Sequence, residues 1–296
     1  MCGTMFAPGN TAGAISALQT TPMPMPAPLL TKLGDKPMAT IGIFDSGCGG
    51  LSVYRELIKV LPQEQYHYFS DNAHCPYGEK TPLYIQRRGR FITEFLLDKG
   101  ADIIVVACNT ATAAAIATLR AEYPDVPFVG MEPAVKPAAL GTHTGVIGVL
   151  ATAGTLKGSK YLTTRGLYED NVRIVEHVGQ GFVELVEAGK LDGPETVETV
   201  RASLKPLLAA GADTIVLGCT HYPFLQPVIE RLSGPDVRVI DPAPAVARQT
   251  VHVLEQRGIV TGVGPFSVEL HASGDPTALR RIFALVDAGR QTIDNE

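Results

Sequence analysis

An internal repeat limits the fold of this chain more than any other feature of its sequence. The segment GADIIVVAC at 100–108 aligns with GADTIVLGC at 211–219, and six of the nine positions are identical. Two shorter matches keep the same order along the chain: 41–46 with 147–152, and 129–134 with 239–243. The offset of 111 residues far exceeds the roughly 20 to 50 residues of a solenoid repeat. The repeat therefore predicts two related domains.

Short apolar runs alternate with longer helical patterns from residue 39 onward. Candidate strands are 40–44, 65–70, 103–107, 127–130, 145–150, 172–176, 214–218 and 237–240. Between them lie helical stretches such as 195–210, where apolar side chains recur near the 3.6-residue helical period. Because strands that alternate with helices form parallel sheets, we predict an α/β fold. We expect two pseudo-symmetric domains, each a mostly parallel sheet flanked by helices, with the active site in the cleft between them.

The order of these segments predicts the domain boundaries. Residues 1–31 contain no charged side chain and five prolines, which predicts a disordered N-terminal tail over residues 1–38. We expect residues 39–132 and 242–296 to form the first α/β domain, and residues 133–241 to form the second.

Charge and hydropathy exclude several classes of partner. The net charge is −5, and the basic cluster Arg87, Arg88 and Arg90 fits the solvated face of a helix, so we expect no nucleic-acid partner. The uncharged stretches 103–119 and 137–156 are interrupted by Asn, Thr or Gly. Neither is the run of about 20 apolar residues that crosses a membrane, so we expect no membrane association.

The cysteine count indicates the redox compartment of the protein, and the first glycine-rich turn limits the kind of ligand that it can bind. Five cysteines in a long chain without an evident secretory signal indicate a reducing, cytoplasmic protein without a disulfide framework. The turn at 45–50 exposes backbone N–H groups suited to a carboxylate. Ser52 stands where the dinucleotide fingerprint requires Gly, which disfavours NAD as a cofactor.

Two cysteines of the repeat predict the chemistry. Cys108 and Cys219 each end a repeated strand, precede a predicted helix and are followed by polar residues. Open α/β sheets bind ligands at the carboxyl ends of their strands, and a helix N-terminus lowers the pKa of a thiol. Pseudo-symmetric domains would place these thiols on opposite walls of one cleft. Inversion of a stereocentre needs a base on one face of the carbon and an acid on the other, which the two thiols would supply.

Other interpretations of these residues stay open. Free cysteines are commonly core residues, and Cys108, Cys219 and His221 form a weak match to a zinc site because no CxxC pair occurs. A lyase or isomerase with one thiol, such as a decarboxylase, would not need the second cysteine, and an amino-acid-binding protein would need neither. Cys48 and Cys75 have no counterpart in the repeat and are interpreted as structural.

Several motifs together identify a family. They are IGIFDSGCGGLSV at 41–53, PYG at 76–78, ACNTATA at 107–113, LAT at 150–152 with GT at 154–155, and GCTHYPFL at 218–225. Through them the chain resembles the glutamate racemase family of the aspartate/glutamate racemase superfamily, over about residues 39 to 270. The resemblance implies a cofactor-independent isomerase that interconverts L- and D-glutamate. It also implies a bacterial cytoplasmic enzyme that supplies D-glutamate for peptidoglycan in the cell wall, with a homodimer as one expected assembly. A racemase for aspartate or a related amino acid is the alternative within the superfamily.

The resemblance implies roles for individual residues as well. Cys108 and Cys219 match the two catalytic thiols, and Asp45 and His221 match polar groups that assist them. The positions matched to substrate binding are Asp45, Ser46, Tyr77, Gly78, Asn109, Thr110, Thr152, Thr220 and His221. Glu187 matches a helix carboxylate near the cleft, and no metal ligand is implied.

Overall fold

Two parallel sheets flanked by helices make up the part of the chain described by the computed structural model, residues 38–262 and 264–291. Residues 1–37, nearly all of the predicted tail, lie outside the described residues. Met38, the last residue of that predicted tail, is buried beside Gly264. The predicted α/β fold with mostly parallel sheets is confirmed.

The first sheet has five parallel strands in the order β4-β3-β1-β2-β9. They are β1 (Thr40–Asp45), β2 (Gln65–Ser70), β3 (Ile103–Val106), β4 (Phe128–Gly130) and β9 (Ser267–Ala272). Every residue of β1 and β3 is buried. Central strands of a parallel sheet are covered by helices on both faces, which explains why these segments read as nearly continuous apolar runs.

The second sheet has four parallel strands in the order β6-β5-β7-β8. They are β5 (Val146–Ala151), β6 (Arg173–Val178), β7 (Thr214–Gly218) and β8 (Arg238–Ile240). Read from the other edge, this order is β8-β7-β5-β6, which matches β4-β3-β1-β2 of the first sheet strand for strand. The repeat in the sequence is therefore a repeat of sheet topology.

Eleven helices connect or cover the described strands. They are α1 (Leu51–Val60), α2 (Pro82–Asp98), α3 (Asn109–Glu122), α4 (Val135–Gly141), α5 (Ala153–Leu156), α6 (Ser159–Gly166), α7 (Phe182–Glu187), α8 (Pro194–Ala209), α9 (Gln226–Ser233), α10 (Ala243–Gln256) and α11 (Thr277–Gln291). The helix expected at 195–210 is α8, shifted by one residue. None of the described helices is both long enough and apolar enough to cross a bilayer.

Strand β9 was absent from the sequence-based prediction. It pairs with β2 at the edge of the first sheet, and its first four residues alternate between exposed and half-buried. A short, partly polar edge strand lacks the apolar run that identifies central strands. The eight predicted strands correspond to β1–β8 within one or two residues at each end.

Strand membership separates the chain into two halves. The first sheet draws its strands from residues 40–130 and 267–272, and the second from residues 146–240. The expected domains, with boundaries at 132 and 241, stay a prediction.

Candidate active site

The two thiols of the repeat end equivalent strands but have different local structures. Cys108 follows β3 and is the N-cap of α3, where its Sγ accepts the N–H of Ala111 at 3.4 Å. Cys219 follows β7 and leads only into a 3₁₀ turn, Tyr222–Leu225. The predicted helix N-terminus is therefore present at Cys108 and wrong for Cys219.

Burial affects the pKa of the Cys108 thiol more than the helix N-terminus does. Its pKa lies well above the ordinary value because burial disfavours the thiolate and the nearby Asp45 carboxylate disfavours it further, while the Ala111 N–H opposes them. The expectation that the helix N-terminus lowers this pKa is wrong. In the resting protein Cys108 is a protonated thiol.

Both thiols line the same small cavity. It has a volume of about 10 Å³ and is lined by Ser46, Pro76, Tyr77, Gly78, Cys108, Asn109, Thr110, Thr152, Val183, Cys219, Thr220 and His221. These residues follow the carboxyl ends of strands from both sheets. All of the predicted site residues line the cavity except Asp45 and Glu187, which lie behind its wall. Pro76 and Val183 were not predicted.

Asp45 ties the first sheet to the second. Its Oδ1 accepts the N–H of Ser46 at 2.7 Å, and its Oδ2 accepts the N–H of Gly50 at 2.6 Å and the hydroxyl of Thr220 at 3.1 Å. Burial raises the pKa of this carboxyl, and a charged His221 and these N–H groups oppose that shift. Asp45 therefore fixes the turn after β1 against the strand that carries Cys219.

His221 connects Cys219 to Glu187. The Nδ1 atom of His221 lies 3.8 Å from Cys219 Sγ, and Nε2 lies 2.8 Å from Glu187 Oε1. Burial lowers the pKa of His221, but its hydrogen bonds outweigh burial, so the pKa lies well above its ordinary value. Burial raises the pKa of Glu187, but His221 and the Cys48 N–H outweigh it and leave that pKa lowered. The pair is thus an imidazolium and a carboxylate at neutral pH.

The glycine-rich turn after β1 packs directly against this pair. A Cβ at Gly47 would lie 2.0 Å from Glu187 Oε1, and one at Gly49 would lie 2.3 Å from His221 Nδ1. The N–H of Cys48 donates to Glu187 at 2.8 Å. The backbone N–H groups of this turn donate to carboxylates, as predicted. The acceptors of the Ser46, Cys48 and Gly50 N–H groups are side chains of the protein itself, so the expectation of a ligand carboxylate at these three donors is wrong.

Of the two described cysteines outside the repeat, Cys48 lies in a cluster of possible metal ligands and Cys75 does not. Cys48, Cys75, Cys108 and Cys219 are all free thiols. Burial raises the pKa of Cys48 to about 11 and that of Cys75 to about 12. Cys48 nevertheless shares a cluster with Glu187 and His221, whose donor atoms all lie within 4.8 Å of one another. Among the residues that the structure describes, this cluster has metal-ligand spacing near the cavity, whereas the set of Cys108, Cys219 and His221 does not.

Hydroxyl and amide groups supply neutral polar contacts. Thr110 Oγ1 lies 2.8 Å from Thr152 Oγ1, which links the ends of β3 and β5, and Thr152 caps α5 by accepting the N–H of Thr155 at 3.2 Å. Both polar side-chain atoms of Asn109 are buried without a hydrogen-bond partner among the described residues. Buried amides are ordinarily paired, so Asn109 is available to a ligand.

Tyr77 is held by two residues that sequence reasoning missed. Its hydroxyl donates to the buried Asp71, and Arg88 binds the same carboxylate through Nε at 2.9 Å and Nη2 at 2.7 Å. The interpretation of Arg88 as part of a solvated helix face is therefore wrong. A bidentate guanidinium–carboxylate pair is geometrically specific, so it fixes the Tyr77 ring in the cavity wall.

Comparison with known proteins decides the family. The sequence profile described as Asp/Glu/Hydantoin racemase matches residues 41–250. The chain belongs to this racemase family. A glutamate racemase of Stutzerimonas stutzeri strain A1501 is 46% identical over 248 residues, which cover 84% of this chain and 94% of that protein. Membership makes this chain an isomerase and confirms the resemblance found in its motifs.

Solved structures agree with the racemase fold. The glutamate racemase of Escherichia coli, in complex with L-glutamate and the activator UDP-MurNAc-ala, has a TM-score of 0.76 at 33% identity, covering 84% of this chain and 96% of that one. The glutamate racemase of Francisella tularensis, in complex with D-glutamate, has a TM-score of 0.74 at 25% identity and covers 85% and 94%.

Proposed function

We propose that this racemase interconverts L- and D-glutamate without a cofactor, by proton transfer between the substrate Cα and the thiols of Cys108 and Cys219. The observation that carries the proposal is that both repeat-equivalent thiols line one cavity. The glutamate racemases among its relatives, and the complexes of two of them with L- and with D-glutamate, support the choice of substrate.

Each turnover adds one proton to one sulfur and removes one from the other, so the two sulfurs exchange protonation states and must exchange protons with solvent before the next turnover in the same direction. One sulfur, as thiolate, takes the Cα proton, and the opposite sulfur, as thiol, gives a proton to the other face of the carbanion. The reverse reaction exchanges these roles. Cys108 rests as the thiol, and His221 is placed to hold or return the proton of Cys219 at 3.8 Å. General acid–base catalysis of this kind contributes about 10² to 10⁴ in rate.

Substrate recognition relies on neutral donors and one imidazolium. No lysine or arginine is among the residues that line the cavity, while Ser46, Asn109, Thr110, Thr152 and Thr220 are. We assign these hydroxyl and amide groups, with Tyr77, Gly78 and His221, to the carboxylates and ammonium of glutamate. A volume of about 10 Å³ holds roughly one water molecule. The cleft therefore opens to admit the amino acid.

Racemisation of aspartate is the second candidate. A difference of one methylene is typically discriminated by only about 10- to 200-fold in an enzyme pocket, so the two substrates must be compared directly. A single-thiol decarboxylase or isomerase is disfavoured, because a thiol stands at the equivalent position of each half.

Incubation with single enantiomers in D2O tests the function. With chelator present and no added cofactor, L-glutamate should give D-glutamate, and D-glutamate should give L-glutamate, each product carrying deuterium at Cα because the second thiol exchanges with solvent. Chiral separation with mass detection measures both properties. Aspartate should react at least about 10-fold more slowly in kcat/KM.

Three outcomes would contradict the proposal. Product that keeps its original Cα hydrogen would exclude delivery from a solvent-exchanged thiol. Faster turnover of aspartate than of glutamate would show that aspartate is the substrate. A requirement for an added cofactor would contradict the cofactor-independent mechanism.

The pH profile should depend on Glu187. In Glu187→Gln the carboxylate that stabilises the His221 imidazolium is lost, so the pKa of His221 falls. The alkaline limb of kcat/KM should move to lower pH by about one unit, the size of one hydrogen bond to a charged group. Glu184→Gln is the matched control, since Glu184 lies on the same helix but is exposed. An unchanged alkaline limb in Glu187→Gln would remove Glu187 from the mechanism.

The cellular setting is part of the same proposal and rests on the family resemblance. We propose a cytoplasmic enzyme that can form a homodimer and whose D-glutamate supplies peptidoglycan synthesis.

A further inference from the structure

Three potential metal ligands share one face at the outer edge of the first sheet. His67 on β2 is in register with Glu269 on β9, and His271 lies two residues further along β9. Side chains two residues apart point to the same face of a strand, so all three converge. None of them lines the cavity that contains the thiols.

The donor atoms form a nearly regular triangle. His67 Nδ1 lies 3.4 Å from His271 Nε2 and 3.6 Å from Glu269 Oε2, and the last two atoms are 3.7 Å apart. Zinc binds imidazole nitrogen and carboxylate oxygen at about 2.0 to 2.2 Å in tetrahedral geometry, which sets ligand atoms about 3.3 to 3.6 Å apart. The triangle therefore has the dimensions of three corners of a zinc tetrahedron.

We propose that His67, Glu269 and His271 bind a Zn²⁺ ion, with the fourth position open to solvent. Two imidazoles and one carboxylate are an established ligand set for zinc with an open site. Access is available because the Glu269 side chain is 55% exposed, whereas those of His67 and His271 are 10% and 19% exposed.

Packing holds the two rings in place before an ion arrives. The imidazoles of His67 and His271 stack at 5.7 Å with an interplanar angle of 20°, and Phe95 packs edge-on against His271 at 4.9 Å. Restricted rings lose little conformational freedom on binding, which favours coordination.

The ammonium group of Lys99 pairs with one of the three proposed ligands. Its Nζ lies 3.4 Å from the same Glu269 Oε2. Because the lysine side chain is 40% exposed, it can turn to solvent when an ion binds. Lysine thus competes with the metal, and its removal should strengthen binding.

An ion here would join segments that are far apart in the chain. His67 and His271 are separated by 204 residues, and β9 is held to the sheet through β2 alone. Binding to the folded state only would stabilise the protein by an amount that grows with the logarithm of the zinc concentration above Kd. The consequence is a stronger attachment of the C-terminal strand.

Zinc titration of the chelator-treated, full-length protein tests this site. Competition with a chromophoric chelator should show one binding event that becomes about 100-fold weaker in His67→Ala and His271→Ala. His252→Ala, an exposed histidine on α10, is the control and should bind as the parent does. Lys99→Gln should bind about 3- to 10-fold more tightly, because a nearby positive charge is removed.

A second zinc site at Cys48, Glu187 and His221 must be distinguished. Substitution of Co²⁺ separates the two, since the absorption lost in His271→Ala should lack a thiolate charge-transfer band. Glu269→Gln, a conservative change at an exposed side chain, should weaken binding about 10-fold without unfolding the protein.

Zinc should also raise the Tm of the parent protein by several degrees more than that of His271→Ala. Equal zinc affinity and stoichiometry in the parent, His271→Ala and Glu269→Gln would overturn the proposal. A signal lost only when Cys48 is replaced would assign the ion to the other cluster and overturn it equally.

Discussion

Replacement of Cys108 or Cys219 by alanine should each lower kcat for glutamate racemisation by about 1,000-fold or more. In the proposed mechanism, either change removes the proton carrier on one face of the substrate carbon, so the carbanion formed on the other face cannot be reprotonated with inversion. Initial rates for both enantiomers, measured by chiral separation, give the effect. The far-UV circular dichroism spectrum should not change, because a thiol is replaced by a slightly smaller apolar group.

Cys75→Ala is the matched control for the loss of a thiol. Cys75 is partly buried and does not line the cavity, so this variant should keep its kcat within a few-fold. Near-full activity in Cys108→Ala or Cys219→Ala would end the two-thiol mechanism. An equal loss in Cys75→Ala would show that cysteine replacement acts through packing.

Gly49→Ala should lower kcat by about 100-fold, because the new methyl group displaces His221. A Cβ at this position would lie 2.3 Å from Nδ1 and 2.7 Å from two ring carbons of His221. Gly49 does not have a positive φ, so the backbone permits alanine and the effect is steric. Overpacking of this kind destabilises a protein by about 1 to 3 kcal/mol, which chemical denaturation would measure.

Gly166→Ala provides the comparison for that variant. Nothing lies within 4 Å of a Cβ built at Gly166, which ends helix α6 and also lacks a positive φ. It should keep full activity, with stability unchanged or slightly increased because alanine favours helices. Full activity of Gly49→Ala would show that the position of His221 is not needed for turnover.

The sequence predicted topology better than it predicted contacts. The alternation of strands with helices was sufficient to predict parallel sheets, and the repeat around Cys108 and Cys219 was sufficient to predict two related domains. Strand β9 could not be found in this way, since it has no counterpart in the second half and pairs with β2 some 200 residues earlier.

Site residues were predicted where a motif or a strand end marked them. The support of Tyr77 by Asp71 and Arg88 was missed because a basic residue on a helix is usually solvated, and only the tertiary fold brings Arg88 to a buried carboxylate. The turn at 45–50 was correctly expected to bind carboxylates. The sequence did not show that these carboxylates belong to the protein itself, because Glu187 is 139 residues from Cys48 along the chain.

The contacts that support Cys219 come from both halves of the molecule. Thr220 is bound by Asp45, and Glu187 by the Cys48 N–H, so groups of the first half complete the environment of the second half's thiol. Entry of an amino acid requires the halves to separate around these same contacts. In the proposed mechanism, the contacts that part to admit the substrate are also the ones that support Cys219, so a substitution there should alter how often the enzyme opens together with how fast it reacts.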